Sequence, residues 1–242
     1  MSTLLLRLAA PMQSWGSDSK FERRNTGRTP SKSGVIGLCA AALGYRRDED
    51  KKISRLTQLK FGVRIDKPGL LLKDFHMAHQ ESFWNPYDRS KINKNARRNA
   101  AYLTIRYYLS DAVFLVGLEG DEEYLSEIDS AIRAPFFPLY LGRRSCPPEG
   151  HVSCGIVSDT LQAALENYPM LAQTHRYSDI GRKPRLVLDT DMESDSNAHL
   201  MRDLPRSFNP EHRIYDFRCV REFDAHMPVF DETHDPLAEL EE

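Results

Sequence analysis

The chain has 242 residues, of which 40% are hydrophobic and 28% are charged, a composition typical of a soluble globular protein. No window approaches the 18 apolar residues of a membrane-spanning helix, so no membrane association is expected. The N-terminal run LLLRLAA has no basic region before it and is interrupted by Arg7. This pattern favours a strand over a signal peptide, and we therefore expect a cytoplasmic protein.

Four cysteines occur, at positions 39, 146, 154 and 219. No pair of them has the spacing of a zinc knuckle or of a redox CxxC motif. We therefore expect free, mostly buried thiols, and we expect neither a metal nor any other cofactor.

The formal net charge of -2 hides an asymmetry between the two halves of the chain. Residues 1–110 carry 21 Lys and Arg against 9 Asp and Glu, whereas residues 111–242 carry 12 against 26. A basic first half indicates a polyanionic partner, most often a nucleic acid. The acidic second half fits either a solubilising surface or a surface that faces a basic partner.

The first predicted elements are a strand, a loop and a helix. TLLLRLA at 3–9 is a strand that Pro11 is expected to end, because proline cannot donate to a sheet ladder. A polar loop then leads to Thr29-Pro30, a favourable helix start with a capping threonine and a proline at the first helical position. The apolar helical face ends at Gly44, which suits the left-handed position just past a helix.

A long basic insertion separates the next predicted strands. After a strand at 59–65, the segments 70–78 and 100–110 both favour strand, and the polar stretch between them is mostly basic. Such a long connection inside a compact core would be unusual, so we predict a protruding hairpin. DAVFLVGLEG at 111–120 is the clearest strand, and a helix follows at 122–133.

The order strand, helix, strand, strand, helix, strand predicts an α+β, ferredoxin-like fold of the kind used by RNA-recognition (RRM-like) domains. The last strand is expected within PFFPLYLGRRSCPPEG. This domain would span 1–155, and a small C-terminal β-rich extension at 156–227 would form an additional sheet from 185–190 and 214–223. Residues 228–242 are acidic and are expected to form a mobile tail.

The stretch TGRTPSKSG at 26–34 superficially resembles a nucleotide-binding phosphate loop. It lacks the second glycine of GxxxxGK[ST] and is one residue short, and Pro30 removes a backbone donor. A nucleotide-dependent enzyme is therefore disfavoured. Two interpretations stay open: an ordinary capped helix, or a helix start that holds nucleic-acid phosphates beside Arg28 and Lys32.

Other polar and aromatic residues are weaker candidates. A metal-independent ribonuclease would need a base near the scissile phosphate, and the candidates are His76, His79, Tyr107 and Tyr108. Exposed aromatic side chains beside basic residues can stack on unpaired bases, which points to Trp15, Phe83 and Trp84, although packing against the core explains them too. Arg143-Arg144 fits either a phosphate contact or a solvated turn.

Several of these stretches together resemble a known family. LLLRLAAPMQSWG, TGRTPSKSGVIGLCAAALG, IRYYLSDAVFLVGLEG and PLYLGRRSCPP occur in the same order as in the CasD subunits of type I-E CRISPR Cascade, which belong to the RAMP superfamily. The resemblance covers roughly residues 1–150. It implies a noncatalytic antiviral-defence subunit that holds the 5′ handle of the CRISPR RNA and caps the backbone filament of the ribonucleoprotein complex.

The resemblance also implies positions for the binding surface and for the partners. The thumb hairpin corresponds to about 67–110. The RNA-binding residues expected from the motif positions are Gln13, Trp15, Arg28, Lys32, Ser33, Arg97, Arg98, Arg106, Arg143 and Arg144. The protein partners would be the backbone subunit CasC and the large subunit CasA, with target DNA engaged indirectly. A related type I-C branch cuts precursor RNA, so an endoribonuclease is the alternative.

Overall fold

One nine-stranded sheet organises the part of the chain that the structure describes. The structure is a computed structural model, and it describes residues 1–16, 22–79, 101–172, 183–191 and 196–226. The strands are β1 (Ser2–Gln13), β2 (Arg23–Arg24), β3 (Lys60–Lys67), β4 (Leu70–His79), β5 (Ala101–Gly120), β6 (Ser153–Val157), β7 (Arg185–Asp189), β8 (His199–Ser207) and β9 (Ile214–Asp224). The helices are α1 (Lys32–Ala42), α2 (Asp50–Thr57), α3 (Glu122–Arg133) and α4 (Leu161–Asn167).

The strand order is β6-β1-β5-β3-β7-β9-β8, with β2 and β4 pairing to β5 outside this path. All pairs are antiparallel except β2 with β5. The protein is therefore a mixed α/β structure built on one large, mainly antiparallel sheet. None of the helices in the described ranges is long and apolar enough to cross a membrane.

Strand β1 continues through Pro11, so the prediction that proline ends it was wrong. On the side of β1 that faces β6, Arg7 donates to Val152 O at 2.7 Å, and Ala9 O accepts from Glu149 N at 2.8 Å. Alternate residues of a strand direct their backbone groups to the same side, so the nitrogen of Pro11 points to the β6 side, as those of Arg7 and Ala9 do. Pro11 lies beyond the last hydrogen bond on that side. The missing N–H therefore interrupts no ladder with β5, which continues to Gln13.

Helix α1 begins later than predicted. Its N-cap is Ser31, whose Oγ accepts from Gly34 N at 3.2 Å, so Thr29 and Pro30 precede the cap. The left-handed residue at the helix end is confirmed, since Gly44 has φ 73°. Helix α3 has the predicted bounds, and Asp121 caps it by accepting from Tyr124 N.

The segments predicted at 100–110 and 111–120 form one strand, β5. Its second half lies between β1 and β3, and its first half pairs with β4 from Leu70↔Ser110 to His79↔Ala101. Asp111 has φ 58°, and this left-handed residue stands where β5 passes from one set of partners to the other. The predicted connection 80–99 lies outside the described residues.

Two predictions about the second half of the chain were wrong. The described segment 134–150 contains no strand, and the strand expected there is β6, which pairs with β1 at Thr3–Leu6. Strands β7 and β9 are close to their predicted positions, but they extend the main sheet through β3 instead of forming a second one. The predicted acidic tail, 228–242, lies outside the described residues.

Each face of the sheet carries its own apolar core. The larger core packs α1, α2 and α3 against one face, with Phe61, Phe114 and Ile128 fully buried within it. The smaller core packs α4 against the other face through Leu161 and Leu165. The second core includes Leu186 and Leu188 of β7 and Ala225, so residues from the C-terminal third are part of the interior.

Four charged side chains connect helix α1 to the C-terminal strands; three are buried, and the fourth, Asp189, is 17% exposed. Lys32 Nζ donates to Asp189 Oδ2 at 2.8 Å, and Lys32 N donates to Asp203 Oδ2 at 2.7 Å. Arg218 donates to both carboxylates, with Nε 2.6 Å from Asp203 Oδ1. Burial lowers the pKa of Arg218, but its hydrogen bonds to Asp203 and the two nearby carboxylates outweigh that effect and raise it. We call Lys32, Asp189, Asp203 and Arg218 the buried quartet.

The quartet predicts a large stability cost when one member is removed. Arg218→Met leaves two buried carboxylates with a single cation, and we expect the free energy of unfolding to fall by about 3–5 kcal/mol. Urea denaturation monitored by circular dichroism measures this loss. Arg206→Ala removes an exposed arginine that pairs with Asp216, and this control should change stability little. Equal effects of the two substitutions would contradict the anchoring role of the quartet.

Candidate nucleic-acid interface

Three backbone segments meet at the end of β1. Trp15 N donates to Thr26 Oγ1 at 2.8 Å, and Gly27 N donates to Trp15 O at 2.6 Å, which holds the loop before α1 against β1. From the other side, Ser14 N donates to Leu141 O at 3.1 Å, which holds the turn that follows α3. The predicted elements of the RNA-binding surface are therefore adjacent in the fold.

Gln13 and Trp15 support this junction from inside. Both side chains are buried, and Gln13 donates from Nε2 to Leu8 O and Ala112 O while its Oε1 accepts from Trp15 Nε1. The indole also packs on α1, since a Cβ at Gly34 would lie 2.8 Å from the ring. Contact of these two side chains with RNA would require this packing to open, so they position the surface and do not form it.

The turn at Arg143 is fixed by a close backbone approach. Gly142 has φ 84°, and a Cβ there would lie 1.7 Å from Ser14 O, so only glycine fits. Arg143 Nη2 donates to Arg24 O at 3.0 Å, and its guanidinium carbon lies 4.7 Å from the centre of the Tyr108 ring. The guanidinium is thus held in one orientation before any ligand arrives.

Strand β2 adds two arginines that the sequence interpretation missed. Arg23 and Arg24 are exposed and pair in parallel with Ile105 and Arg106 of β5. The dipeptide was visible, but it lies in a loop of mixed charge, and nothing local indicates that it joins β5. Together these segments present what we call the arginine cluster: Arg23, Arg24, Arg28, Arg106, Arg143 and Arg144.

Two donors of the arginine cluster have no hydrogen-bond partner within the described part of the chain. They are Arg106 Nε and Arg143 Nη1, and both atoms are buried. Arg28 and Arg144 are exposed beside them. Buried donors without partners are rare in native proteins, because each loses its hydration without replacement.

The helix start at Lys32 is not free to bind phosphate. Both Lys32 groups are engaged inside the buried quartet, and the Asp203 carboxylate already occupies the positive end of α1. Ser33 is half-buried, and its Oγ donates to the capping Ser31 Oγ at 3.4 Å. The predicted RNA contact of Lys32 is therefore corrected: it is a structural residue. Within residues 26–34, the side chain of Arg28 is exposed and offers a cation to a ligand.

Some predicted contacts fall outside the described residues. Arg97 and Arg98 are among them, as are the aromatic candidates Phe83 and Trp84. Their predicted roles in RNA binding stay predictions.

The candidate nuclease groups are not brought together among the described side chains. His76 lies exposed on β4 opposite Thr104, and Tyr107 lies three residues further along β5, about 10 Å along the strand. Tyr108 is buried. The side chain of His79 is outside the described set. General acid–base catalysis needs groups within hydrogen-bond reach of one scissile phosphate, and this spacing does not supply such a pair.

Comparisons with known proteins agree on one family. The model of the family described as CRISPR-associated protein (Cas_Cas5) matches residues 3–221. The CRISPR system Cascade subunit CasD of Escherichia coli (strain K12) is 35% identical over 175 residues, which cover 69% of this chain and 77% of that protein.

Solved structures with the same fold support this relationship. A chain of a CRISPR RNA-guided surveillance complex superimposes with a TM-score of 0.74 at 33% identity, covering 94% of this chain and 91% of its own length. A crystal structure of a Cas protein gives a TM-score of 0.69 at 37% identity, covering 92% of this chain and 94% of its own. The similarity therefore extends across nearly the whole chain in both cases.

The close approach at Gly142 gives a test of the turn. Gly142→Ala places a methyl group on the Ser14 carbonyl, and we expect a loss of more than about 2 kcal/mol in the free energy of unfolding, measured by urea denaturation. Gly150→Ala is the matched control, because Gly150 also has a positive φ but its added Cβ would meet only Arg7 Nη1, at 3.5 Å. A smaller loss at Gly142 than at Gly150 would show that the turn can move away from β1.

Proposed function

The chain belongs to the Cas5 family of CRISPR-associated proteins, and from this premise we propose that it is a noncatalytic RNA-binding subunit of a type I-E Cascade complex. In this role it holds the 5′ handle of the CRISPR RNA and caps the backbone filament. The observation that carries the proposal is the arginine cluster, which contains two buried donors with no partner among the described residues. Its exposed members, Arg23, Arg24, Arg28 and Arg144, give this surface the positive charge that an RNA backbone attracts.

The arginines would have two roles in RNA binding: some would fix the position of the RNA, and others would add affinity. Arg143 is pre-oriented by Tyr108 and by the backbone of Arg24, so little side-chain entropy is lost when it meets a phosphate. Arg28 and Arg144 are exposed and would add charge at the rim. Phosphate contacts of this kind fix the register of a bound RNA. The shape of a kinked single strand then determines which RNA is bound.

The fold supports a finer description that we also propose. The order β6-β1-β5-β3, with α1 and α3 on one face, is the arrangement of a ferredoxin-like domain, which we assign to residues 1–155. The paired strands β4 and β5 form the base of a thumb hairpin at about 67–110. Strands β7, β8 and β9 extend the same sheet as a β-rich addition, and the acidic tail predicted at 228–242 lies outside the described residues.

The base of the proposed thumb suits contact with other subunits. Leu70, Leu72, Phe75 and Met77 of β4 are each at least 40% exposed, which is an unusual apolar content for a free surface. We propose that neighbours in the complex, the backbone subunit CasC and the large subunit CasA, cover such surfaces. Target DNA would be engaged indirectly, through the guide, in the cytoplasm.

Salt dependence separates a phosphate contact from a structural residue. For a single-stranded handle RNA, Arg28→Ala should reduce the slope of log K against log salt by about 0.7 if one contact is lost. Lys32→Ala should leave the slope of the folded protein unchanged and lower its stability, because Lys32 belongs to the buried quartet. Fluorescence anisotropy with labelled handle RNA measures both slopes. An unchanged slope for Arg28→Ala would remove that loop from the RNA site.

The proposed absence of catalysis has its own test. Labelled repeat RNA incubated with the purified protein in EDTA should stay intact, because His76 and Tyr107 lie about 10 Å apart along the strands and Tyr108 is buried. Gel electrophoresis would detect cleavage. Specific cutting within the repeat that Tyr107→Phe or His76→Ala abolishes would establish the endoribonuclease instead.

A further inference from the structure

The outer surface of β8 and β9 presents a second basic, aromatic site. Helix α4 packs over β1, β3 and β5 and leaves this end of the same face open. Phe223 of β9 packs at the margin of the α4 core, opposite Leu186, and Arg221 lies opposite Leu188. Because alternate strand residues share a face, the open surface comprises Leu200, Arg202, Phe217, Cys219, Arg221 and Phe223, which we call the arginine–phenylalanine face.

Arginine and phenylalanine side chains contact each other on this face. The Arg221 guanidinium carbon lies 4.2 Å from the centre of the Phe223 ring, and that of Arg202 lies 5.9 Å from the Phe217 ring. The Phe217 side chain is nevertheless 54% exposed. The face therefore offers a fixed, open aromatic surface next to a positive charge.

The face carries positive charge without a carboxylate of its own. Its six residues are two arginines, two phenylalanines, a leucine and a cysteine. Three carboxylates of β8 and β9 have cationic partners: Asp203 in the buried quartet, Asp216 with Arg206 at 2.8 Å, and Glu222 with Arg185 at 2.8 Å. Each of these three carboxylates has a cationic partner, so its charge is locally balanced.

We propose that the arginine–phenylalanine face binds single-stranded nucleic acid, with a base stacked on Phe217 and backbone phosphates beside Arg202. Interleaved cations and open rings on a strand surface match the two parts of a nucleotide, its charged phosphate and the π-face of its base. Binding of this type is tolerant of sequence, because every base has a π-face.

This site is separate from the arginine cluster. Strand β9 is three strand spacings from β5, about 14 Å across the sheet, with β3 and β7 between them. The inference goes beyond the proposed handle binding: it assigns a second contact to nucleic acid that lacks the repeat sequence. The two sites can therefore be tested independently.

The test uses the full chain and labelled oligouridylate and oligothymidylate, each about 16 nucleotides long, followed by fluorescence anisotropy. Phe217→Ala should weaken binding of both probes about ten-fold, and Phe217→Tyr should retain it. Phe136→Ala is the matched control, since Phe136 is also exposed but lies on the loop after α3, and it should bind as the unchanged protein does. Arg202→Ala should reduce the salt slope by about 0.7, whereas exposed Arg47 changed to alanine should not.

Crosslinking supplies the second readout. Oligomers containing 4-thiouridine should crosslink to the peptide Ile214–Asp224 in the unchanged protein and lose that product in Phe217→Ala. If Phe217→Ala and Arg202→Ala bind both probes as their controls do, the inference is overturned. If Arg28→Ala weakens handle binding in that case, the proposed function still stands. If Phe217→Ala weakens binding of both probes while Arg28→Ala leaves handle binding unchanged, the arginine–phenylalanine face is supported and the handle site is overturned.

Discussion

The buried quartet is the interaction on which the arrangement of this protein depends. Its four charges balance, and they join the start of α1 to β7, β8 and β9. The Asp189 carboxylate also accepts from Phe61 N of β3 at 3.0 Å, so the central sheet takes part as well. Removing any one member would leave the other three with an unbalanced charge in a mostly buried site, which is far more costly than losing a surface ion pair.

A second buried pair fixes the opposite face in the same way. Arg64 and Asp66 of β3 have fully buried side chains, with Nε 2.6 Å from Oδ1. Arg64 also donates to the carbonyls of Leu165 and Pro169, and Asp66 accepts from Leu171 N, which ties down the chain that leaves α4. Arg64 and Arg218 thus hold neighbouring segments of the chain together from the interior. In the arginine cluster, by contrast, Arg23, Arg24, Arg28 and Arg144 are exposed.

The sequence predicted local structure well where local chemistry decides it. Helix α3 and its cap at Asp121 follow from the periodicity and charge of one segment, and Gly44 follows from the geometry of a helix end. Lys32 could not be assigned from such signals, because its partners lie 157 and 171 residues away. A lysine at a helix start looks like a phosphate ligand until the fold places a carboxylate there.

The candidate site depended on the same long-range packing. Trp15 lies in a polar loop by sequence, yet the fold buries it against Gly34 and bonds it to Gln13. Arg23 and Arg24 became recognisable as part of a basic surface only once β2 paired with β5. Family resemblance predicted a region, but pairing and burial decide which side chains in it are exposed.

The arginine cluster carries a cost that itself argues for a ligand. Arg106 Nε and Arg143 Nη1 are buried without partners in the described structure, and each such donor costs about 1–3 kcal/mol relative to a satisfied one. The turn that holds Arg143 is specified by a glycine that admits no side chain, so the cluster cannot relax easily toward solvent. In the proposed complex, phosphates would contact the exposed guanidinium groups of the cluster. Rigid anchoring of the turn on β1 would then limit the side-chain entropy that Arg143 loses on binding.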